Sequence, residues 1–127
     1  DEVQHLSGQC LCGAVKITAT ASNPILRACH CDMCRQHTSG MFMSISADPD
    51  SISVEGPAKS FRSSEWAERG FCPECGSFLF WEAHSENTTS FSLGSLQSPT
   101  GLRLEKHIFI ASKGDYYDIT DGLPQKG

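Results

Sequence analysis

The residues best suited to chemistry in this sequence are its seven cysteines, which stand in three short clusters. They are Cys10, Cys12, Cys29, Cys31, Cys34, Cys72 and Cys75. An odd number excludes complete pairing as disulfides, and close clustering in an intracellular chain is typical of metal binding or redox chemistry. The sequence therefore predicts that these thiols are zinc ligands.

The strongest single motif spans residues 72–76 and reads CPECG. Two thiolates separated by two residues can hold one tetrahedral ion from a tight turn, which Pro73 and Gly76 favour. The alternative is a thioredoxin-like redox pair, which would precede a helix. Residues 77–81 read SFLFW instead, which predicts a strand and favours the metal site.

A second motif, Cys29, Cys31 and Cys34, places three thiols within six residues. Three protein ligands leave the fourth position of a zinc ion open to water or substrate, as in catalytic zinc sites. Cys10 and Cys12 form a weaker motif, in which alternate residues of a strand share one face.

Seven ligands divide naturally into a closed site of four and an open site of three, but spacing alone does not assign them. The two CxxC motifs could share the four-thiol site, which would then comprise Cys31, Cys34, Cys72 and Cys75. That division would leave over Cys10, Cys12 and Cys29.

Short alternating segments, separated by Gly, Pro, Ser and Asp, predict a mainly β fold of antiparallel sheets tied together by zinc. The predicted strands are residues 13–18, 41–45, 51–55, 78–82, 89–93 and 106–111. One-turn helices are predicted at residues 31–37 and 64–68. With 127 residues and no evident linker, the sequence predicts a single domain over residues 1–127.

The net charge of −5 argues against nucleic acid as a partner. No apolar run approaches the roughly 20 residues of a membrane span, so no membrane partner is expected. The first residues lack the basic and apolar regions of a signal peptide, and a cytoplasmic protein is expected.

Several stretches together resemble the glutathione-dependent formaldehyde-activating enzyme family, which is grouped with centromere protein V-type domains. They are GQCLCGAV at residues 8–15, CHCDMCR at 29–35, RGFCPECGS at 69–77, KHIFI at 106–110 and DGLP at 121–124. The resemblance covers nearly the whole chain, in the family's order. It implies an Mss4-like fold.

The resemblance also implies a division of the cysteines and an activity. A structural zinc would be held by Cys10, Cys12, Cys72 and Cys75. A second, active-site zinc would be held by Cys29, Cys31 and Cys34. The implied activity is that of a carbon–sulfur lyase that joins glutathione, or a related thiol, to formaldehyde or another small carbonyl compound. The alternatives are a non-catalytic interaction domain of the centromere protein V type and a buffer of metal or thiols.

An anionic thiol needs a cation, and Arg35 directly after the CxCxxC motif is the first candidate, ahead of Arg27 and Arg69. His30 lies between two proposed ligands, where a hydrogen bond to a metal-binding thiol or a proton relay is one expectation and a structural role the other. Structural roles are expected for His37, His84 and His107. Family members often carry a Trp shortly before the DGLP segment, where this chain has tyrosines at residues 116–117, so the pocket wall is expected to differ there.

Overall fold

The computed structural model describes residues 3–84, 87–97 and 100–127. The strands of the first half are β1 (Gln4–Gln9), β2 (Lys16–Ala21), β3 (Leu26–Cys29), β4 (Phe42–Ala47) and β5 (Ser53–Glu55). Those of the second half are β6 (Lys59–Arg62), β7 (Ala67–Phe71), β8 (Phe78–Ala83), β9 (Thr88–Ser92) and β10 (Lys106–Ile108). The helix α1 spans Asp32–Thr38, and single 3₁₀ turns span Pro49–Ser51, Leu93–Ser95 and Ile110–Ser112. Among the helices of the described residues, none has the length and apolar character needed to cross a membrane.

In the described part of the chain the strands form two sheets. The smaller has the order β1-β2-β5, and the larger has the order β10-β3-β4-β9-β8-β7-β6. Neighbouring strands are antiparallel except for β10, which lies parallel to β3. The predicted mainly β fold is therefore confirmed, with β10 as a parallel addition at one edge.

The hydrophobic core lies where the two sheets face each other. It joins Ile17 on β2 to Ile45 on β4, Leu79 on β8 and Phe91 on β9, all of them almost fully buried. Burying each such side chain stabilises the fold by about 1.5–3 kcal/mol. This core fixes the ends of β1, β2, β7 and β8, whose connecting turns carry four cysteines, Cys10, Cys12, Cys72 and Cys75.

Each of the six predicted strands overlaps an observed strand, and the helix predicted at residues 31–37 is α1. The helix predicted at residues 64–68 is wrong, because the chain bends there and then enters β7. Pairing of β7 with both β6 and β8 outweighs the local helical preference of these residues. The predictions also lack β1, β3, β6 and β7, since several of these strands carry little apolar alternation.

The helix α1 is short and begins at a cysteine. Cys31 is its N-cap residue, and its sulfur accepts a hydrogen bond from the backbone N–H of Cys34. The helix ends at Ser39, whose φ of 71° places it in the left-handed region. Since Cys31 caps the helix and also belongs to the cysteine motif at residues 29–34, the start of α1 and this motif are one structural unit.

Candidate functional site

Two turns of similar construction bring together four cysteines that are distant in sequence, which we call the four-thiol cluster. Its members are Cys10, Cys12, Cys72 and Cys75, whose sulfur atoms all lie within 4.8 Å of one another. Gly13 follows the first pair with φ +82°, and Gly76 follows the second with φ +80°. A side chain is disfavoured in this left-handed conformation, so glycine allows each turn to close behind its cysteines.

Hydrogen bonds hold the sulfurs of this cluster in place. The backbone N–H of Val15 donates to Cys10 Sγ at 3.2 Å. The hydroxyl oxygen of Ser77 lies 3.2 Å from Cys75 Sγ. The same oxygen accepts a hydrogen bond from the backbone N–H of Leu11 at 3.0 Å. Hydrogen bonds from the hydroxyl and the backbone N–H of Ser77 lower the pKa of Cys75 to about 5. Ser77 therefore links the two turns and favours a thiolate.

The sulfur spacings fit one tetrahedral ion. Cys10 Sγ lies 3.6 Å from Cys12 Sγ, which lies 3.8 Å from Cys72 Sγ. A zinc–sulfur distance of about 2.3 Å in a regular tetrahedron separates the sulfurs by roughly 3.8 Å. The four-thiol cluster therefore has the donor set and the dimensions of a closed metal site.

The second group, the three-thiol cluster, consists of Cys29, Cys31 and Cys34, again with sulfurs within 4.8 Å of one another. It comes from one continuous segment, since Cys29 ends β3, Cys31 caps α1 and Cys34 lies in its first turn. Hydrogen bonds with Cys29 and Cys34 lower the pKa of Cys31 to about 2. Three sulfurs at this spacing could hold a metal ion and leave one position open.

The structure thereby distinguishes between the two ways of grouping the cysteines that their spacing left open. Cys31 and Cys34 group with Cys29, and the CxxC pair at residues 72–75 groups with the cysteines at residues 10–12. The four cysteines of the two CxxC motifs do not form a cluster among the described residues.

Arg69 is a buried cation in contact with the three-thiol cluster. It lies on β7 and is only 4% exposed. Its NH1 group donates to Cys34 Sγ at 3.5 Å, and its guanidinium carbon lies 5.9 Å from the centre of the Phe78 ring. Nε has no hydrogen-bond partner in the described part of the chain, and no described carboxylate pairs with this guanidinium. A buried guanidinium beside a thiol stabilises the thiolate.

A pocket of about 610 Å³ is connected to the three-thiol cluster through Arg69, which lines the pocket and contacts Cys34; the three cysteines themselves are not among its described lining residues. Its described lining residues are Met33, Gln36, His37, Phe61, Ser63, Arg69, Phe71 and Gly76. Met33 belongs to α1 between two of the clustered thiols, and Arg69 is the residue that contacts both the pocket and Cys34. The volume lies within the range of pockets that hold small organic ligands.

The other predicted anion partners lie in different surroundings. Arg35 pairs with Asp32 at 2.7 Å, one helical turn away on α1, and is not among the described lining residues of the pocket. Arg27 lies on β3 and is likewise outside that lining. The structure thus brings Arg69, which the sequence ranked behind Arg35, to the position between thiols and pocket.

A buried polar chain runs behind the three-thiol cluster. The hydroxyl of Tyr117 lies 2.7 Å from His30 Nδ1, and His30 Nε2 lies 2.9 Å from His107 Nδ1. His107 Nε2 lies 2.8 Å from a carboxylate oxygen of Asp121. Both histidines are 1% exposed, so each depends on these contacts to satisfy its ring nitrogens.

The carboxylate at one end sets the direction of every hydrogen bond in this chain. Hydrogen bonds from His107 and from the Leu123 N–H lower the pKa of Asp121, which therefore accepts. Burial lowers the pKa of His30, which favours its neutral form. With one proton on each imidazole, His107 donates from Nε2, His30 donates from Nε2, and Tyr117 donates its hydroxyl to His30.

Sequence reasoning found one member of this chain, His30, and assigned His107 a structural role. The sequence did point to two further members, because His107 and Asp121 lie in the KHIFI and DGLP stretches that carry the family resemblance. The pocket wall was expected to differ from that of other family members at the tyrosines of residues 116–117. These tyrosines are not among the described pocket-lining residues, and Tyr117 contacts His30 instead. His37 does line the pocket and stacks on Phe78, with ring centres 4.2 Å apart.

These features define a mainly β protein with two cysteine clusters, one of them beside a pocket. Residues 5–112 match the family described as glutathione-dependent formaldehyde-activating enzyme. The chain belongs to this family, as the sequence motifs predicted.

Two further comparisons found a relative in sequence and a protein of the same fold. A protein of Schizosaccharomyces pombe, named as an uncharacterized lyase, is 30% identical over 116 residues, which cover 90% of this chain and 85% of that protein. The crystal structure of a Rhodobacter sphaeroides protein has the same fold, with a TM-score of 0.65 and 19% identity, covering 94% of this chain and 98% of the other. The family and the named relative together support an enzyme of the lyase class.

Proposed function

We propose that this chain is a zinc-dependent carbon–sulfur lyase that joins a thiol, glutathione or a related compound, to formaldehyde or another small carbonyl compound. The single observation that carries the proposal is the three-thiol cluster, whose sulfurs lie within 4.8 Å of one another beside the pocket that Arg69 lines. In this proposal residues 1–127 act as one zinc-binding domain.

Each cluster would hold one zinc ion. The four-thiol cluster would hold a structural zinc, since four thiolates complete a tetrahedron and leave no position for substrate. Cys29, Cys31 and Cys34 would hold the second, which would supply an open position for a thiol in its thiolate form. The sulfur spacing in the four-thiol cluster and the shared 4.8 Å limit in both clusters support these assignments.

The reaction forms one carbon–sulfur bond. The thiol sulfur attacks the carbonyl carbon, the carbon–oxygen double bond becomes single, and the proton released by the thiol ends on the oxygen to give a hemithioacetal, which carries an S-hydroxymethyl group when the carbonyl compound is formaldehyde. Arg69 offsets the negative charge at Cys34 and so lowers the repulsion met by an incoming thiolate. Met33 and Phe61 on the pocket wall would offer apolar contacts to the substrate.

The cation that binds the substrate carboxylate is a separate part of the proposal. Arg35 is the residue that the sequence favours, and it is half-buried in an ion pair with Asp32. Arg69 has the stronger support, because its side chain lines the pocket. Substituting each arginine by Gln and measuring KM for the thiol distinguishes them, since only loss of the binding cation raises KM.

The activity is tested by the exchange of formaldehyde and glutathione with their adduct, measured by NMR exchange spectroscopy at equilibrium. Zinc-loaded wild-type protein is compared with Cys31→Ser and with a sample without protein. The expected result is faster exchange with wild type alone. Thr18→Ala, an exposed change on β2, serves as the folded control and should exchange as fast as wild type.

Equal exchange in all samples would contradict the lyase proposal for these substrates. If zinc content and folding were unchanged in that case, the non-catalytic interaction domain would be the better description. If instead a weak chelator removed both zinc ions within seconds, a metal buffer would be favoured.

A further inference from the structure

Most of the exposed surface of the pocket connected to the three-thiol cluster is apolar, although Gln36, His37, Ser63 and Arg69 also line it, and this composition bears on the kind of thiol it accepts. Met33 and Phe61 are exposed at 47% and 63%, large values for apolar side chains, and Phe71 completes the same wall. Exposed apolar side chains that converge on one concave surface are typical of ligand sites. The body of the ligand is therefore expected to be apolar.

The charge that the pocket offers is a single cation. Arg69 is the only lysine or arginine among the described lining residues, and that lining contains no carboxylate. Burial lowers the pKa of His37, which keeps this second ionisable lining residue neutral at pH 7. The guanidinium has five donors, of which the described residues engage one, through NH1 to Cys34 Sγ. Unused donors on a buried cation favour an anionic ligand.

The charge balance limits how many anionic groups can enter. A ligand with one carboxylate can share the guanidinium with Cys34. Further charged groups would find no second opposite charge in the described lining, where the other polar side chains are those of Gln36, His37 and Ser63. Glutathione carries two carboxylates and an ammonium group, so two of its three charged groups would have no partner of opposite charge here.

We propose that this pocket selects small molecules with an apolar body and a single carboxylate, which pairs with Arg69, in preference to glutathione. This inference rests on the proposed function in that the pocket is taken as the substrate site of the second zinc. The substrate class is then a thiol on an apolar chain with one carboxylate.

Binding can be measured without turnover by titrating hexanoate, hexan-1-ol and glutathione into the zinc-loaded full chain. The readout is the chemical shift of the Arg69 Nε–H and of backbone amides at residues 33–37 in ¹H–¹⁵N spectra. Hexanoate is expected to bind at least tenfold more tightly than hexan-1-ol and more tightly than glutathione. Shifts should be confined to the pocket.

Two variants test the residues that carry the inference. Arg69→Gln should weaken hexanoate binding at least tenfold and leave hexan-1-ol binding unchanged, whereas Arg103→Gln, an exposed change outside the pocket lining, should alter neither. Phe61→Ala changes an exposed side chain and should weaken both ligands equally if the wall binds the apolar body. The Phe61→Ala variant keeps the inference testable if the Arg69→Gln protein does not fold.

The outcomes separate this inference from the lyase proposal. Glutathione binding more tightly than hexanoate, or hexanoate binding that Phe61→Ala and Arg69→Gln leave unchanged, would overturn the inference even if the enzyme catalyses the exchange reaction. Hexanoate binding at the pocket without any thiol–carbonyl exchange would support the pocket chemistry and contradict the proposed activity alone.

Discussion

The two cysteine clusters differ in how far apart in sequence their members lie and in what surrounds them. The four-thiol cluster joins turns from opposite halves of the chain, and hydrogen bonds from Val15 and Ser77 surround its sulfurs. The three-thiol cluster is contained in residues 29–34 and faces Arg69 and a pocket. Closing a long loop stabilises a fold more than closing a short one, so the first cluster is suited to holding the sheets together and the second to chemistry.

The largest expected effect comes from breaking the four-thiol cluster. We expect Cys72→Ser to lose the cooperative fold, because structural zinc contributes on the order of 10 kcal/mol, comparable with the whole stability of a domain. Dispersion of the ¹H–¹⁵N spectrum and zinc content report the result. Cys31→Ser should lose one zinc ion and retain the fold, and a folded Cys72→Ser protein would show that the two clusters do not differ as described.

Stepwise removal of metal sharpens the same comparison. A mild colorimetric chelator is expected to extract one zinc ion per chain while the near-ultraviolet circular dichroism stays native, because the open site has only three protein ligands. The second ion should leave only with unfolding. Simultaneous release of both ions, or unfolding with the first, would contradict the separation into a catalytic and a structural site.

A smaller effect is expected at the polar chain behind the three-thiol cluster. Asp121→Asn removes the carboxylate that fixes the hydrogen bonds of His107 and His30, so the melting temperature should fall by a few degrees. The ¹⁵N shifts of both imidazoles should show a change of tautomer. Asp118→Asn, an exposed neighbour, is the control. Unchanged imidazole shifts in Asp121→Asn would rule out the proposed direction of the chain.

The smallest effect is expected far from both clusters. Asp48 accepts hydrogen bonds from Ser22 and from the Thr20 hydroxyl, and those from Ser22 chiefly hold its pKa below the usual value. The ionised Asp48 carboxylate stabilises the fold fully at pH values above about 3.9, the pKa of an aspartate in the unfolded chain. This stabilisation disappears as the pH falls through the lower pKa that Asp48 has in the folded protein. The difference in melting temperature between wild type and Asp48→Asn should therefore shrink on acidification. Asp50→Asn is the matched control, and a difference independent of pH would refute the assignment.

The cysteines could be predicted as metal ligands from sequence because such ligands must be particular residue types at short spacings. Their division into two groups was implied by the family resemblance alone, since the four-thiol cluster joins residues far apart in the chain. The mainly β class followed from alternating segments, whereas β7 was missed because its pairing with β6 and β8 depends on distant residues. Arg69 was ranked behind Arg35 for the same reason. Proximity along the chain favours Arg35, but register across the sheet brings Arg69 to Cys34. The contact between His30 and His107 likewise spans 77 positions, beyond the reach of any local pattern.

The central claim, one closed and one open zinc site, is tested most directly by anomalous diffraction at the zinc edge from crystals of the purified protein. The account predicts two peaks per chain. One should lie within about 2.3 Å of four cysteine sulfurs and the other at that distance from Cys29, Cys31 and Cys34, with its fourth ligand not supplied by the protein. A single peak at the four-thiol cluster, or a second ion with four protein ligands, would contradict it.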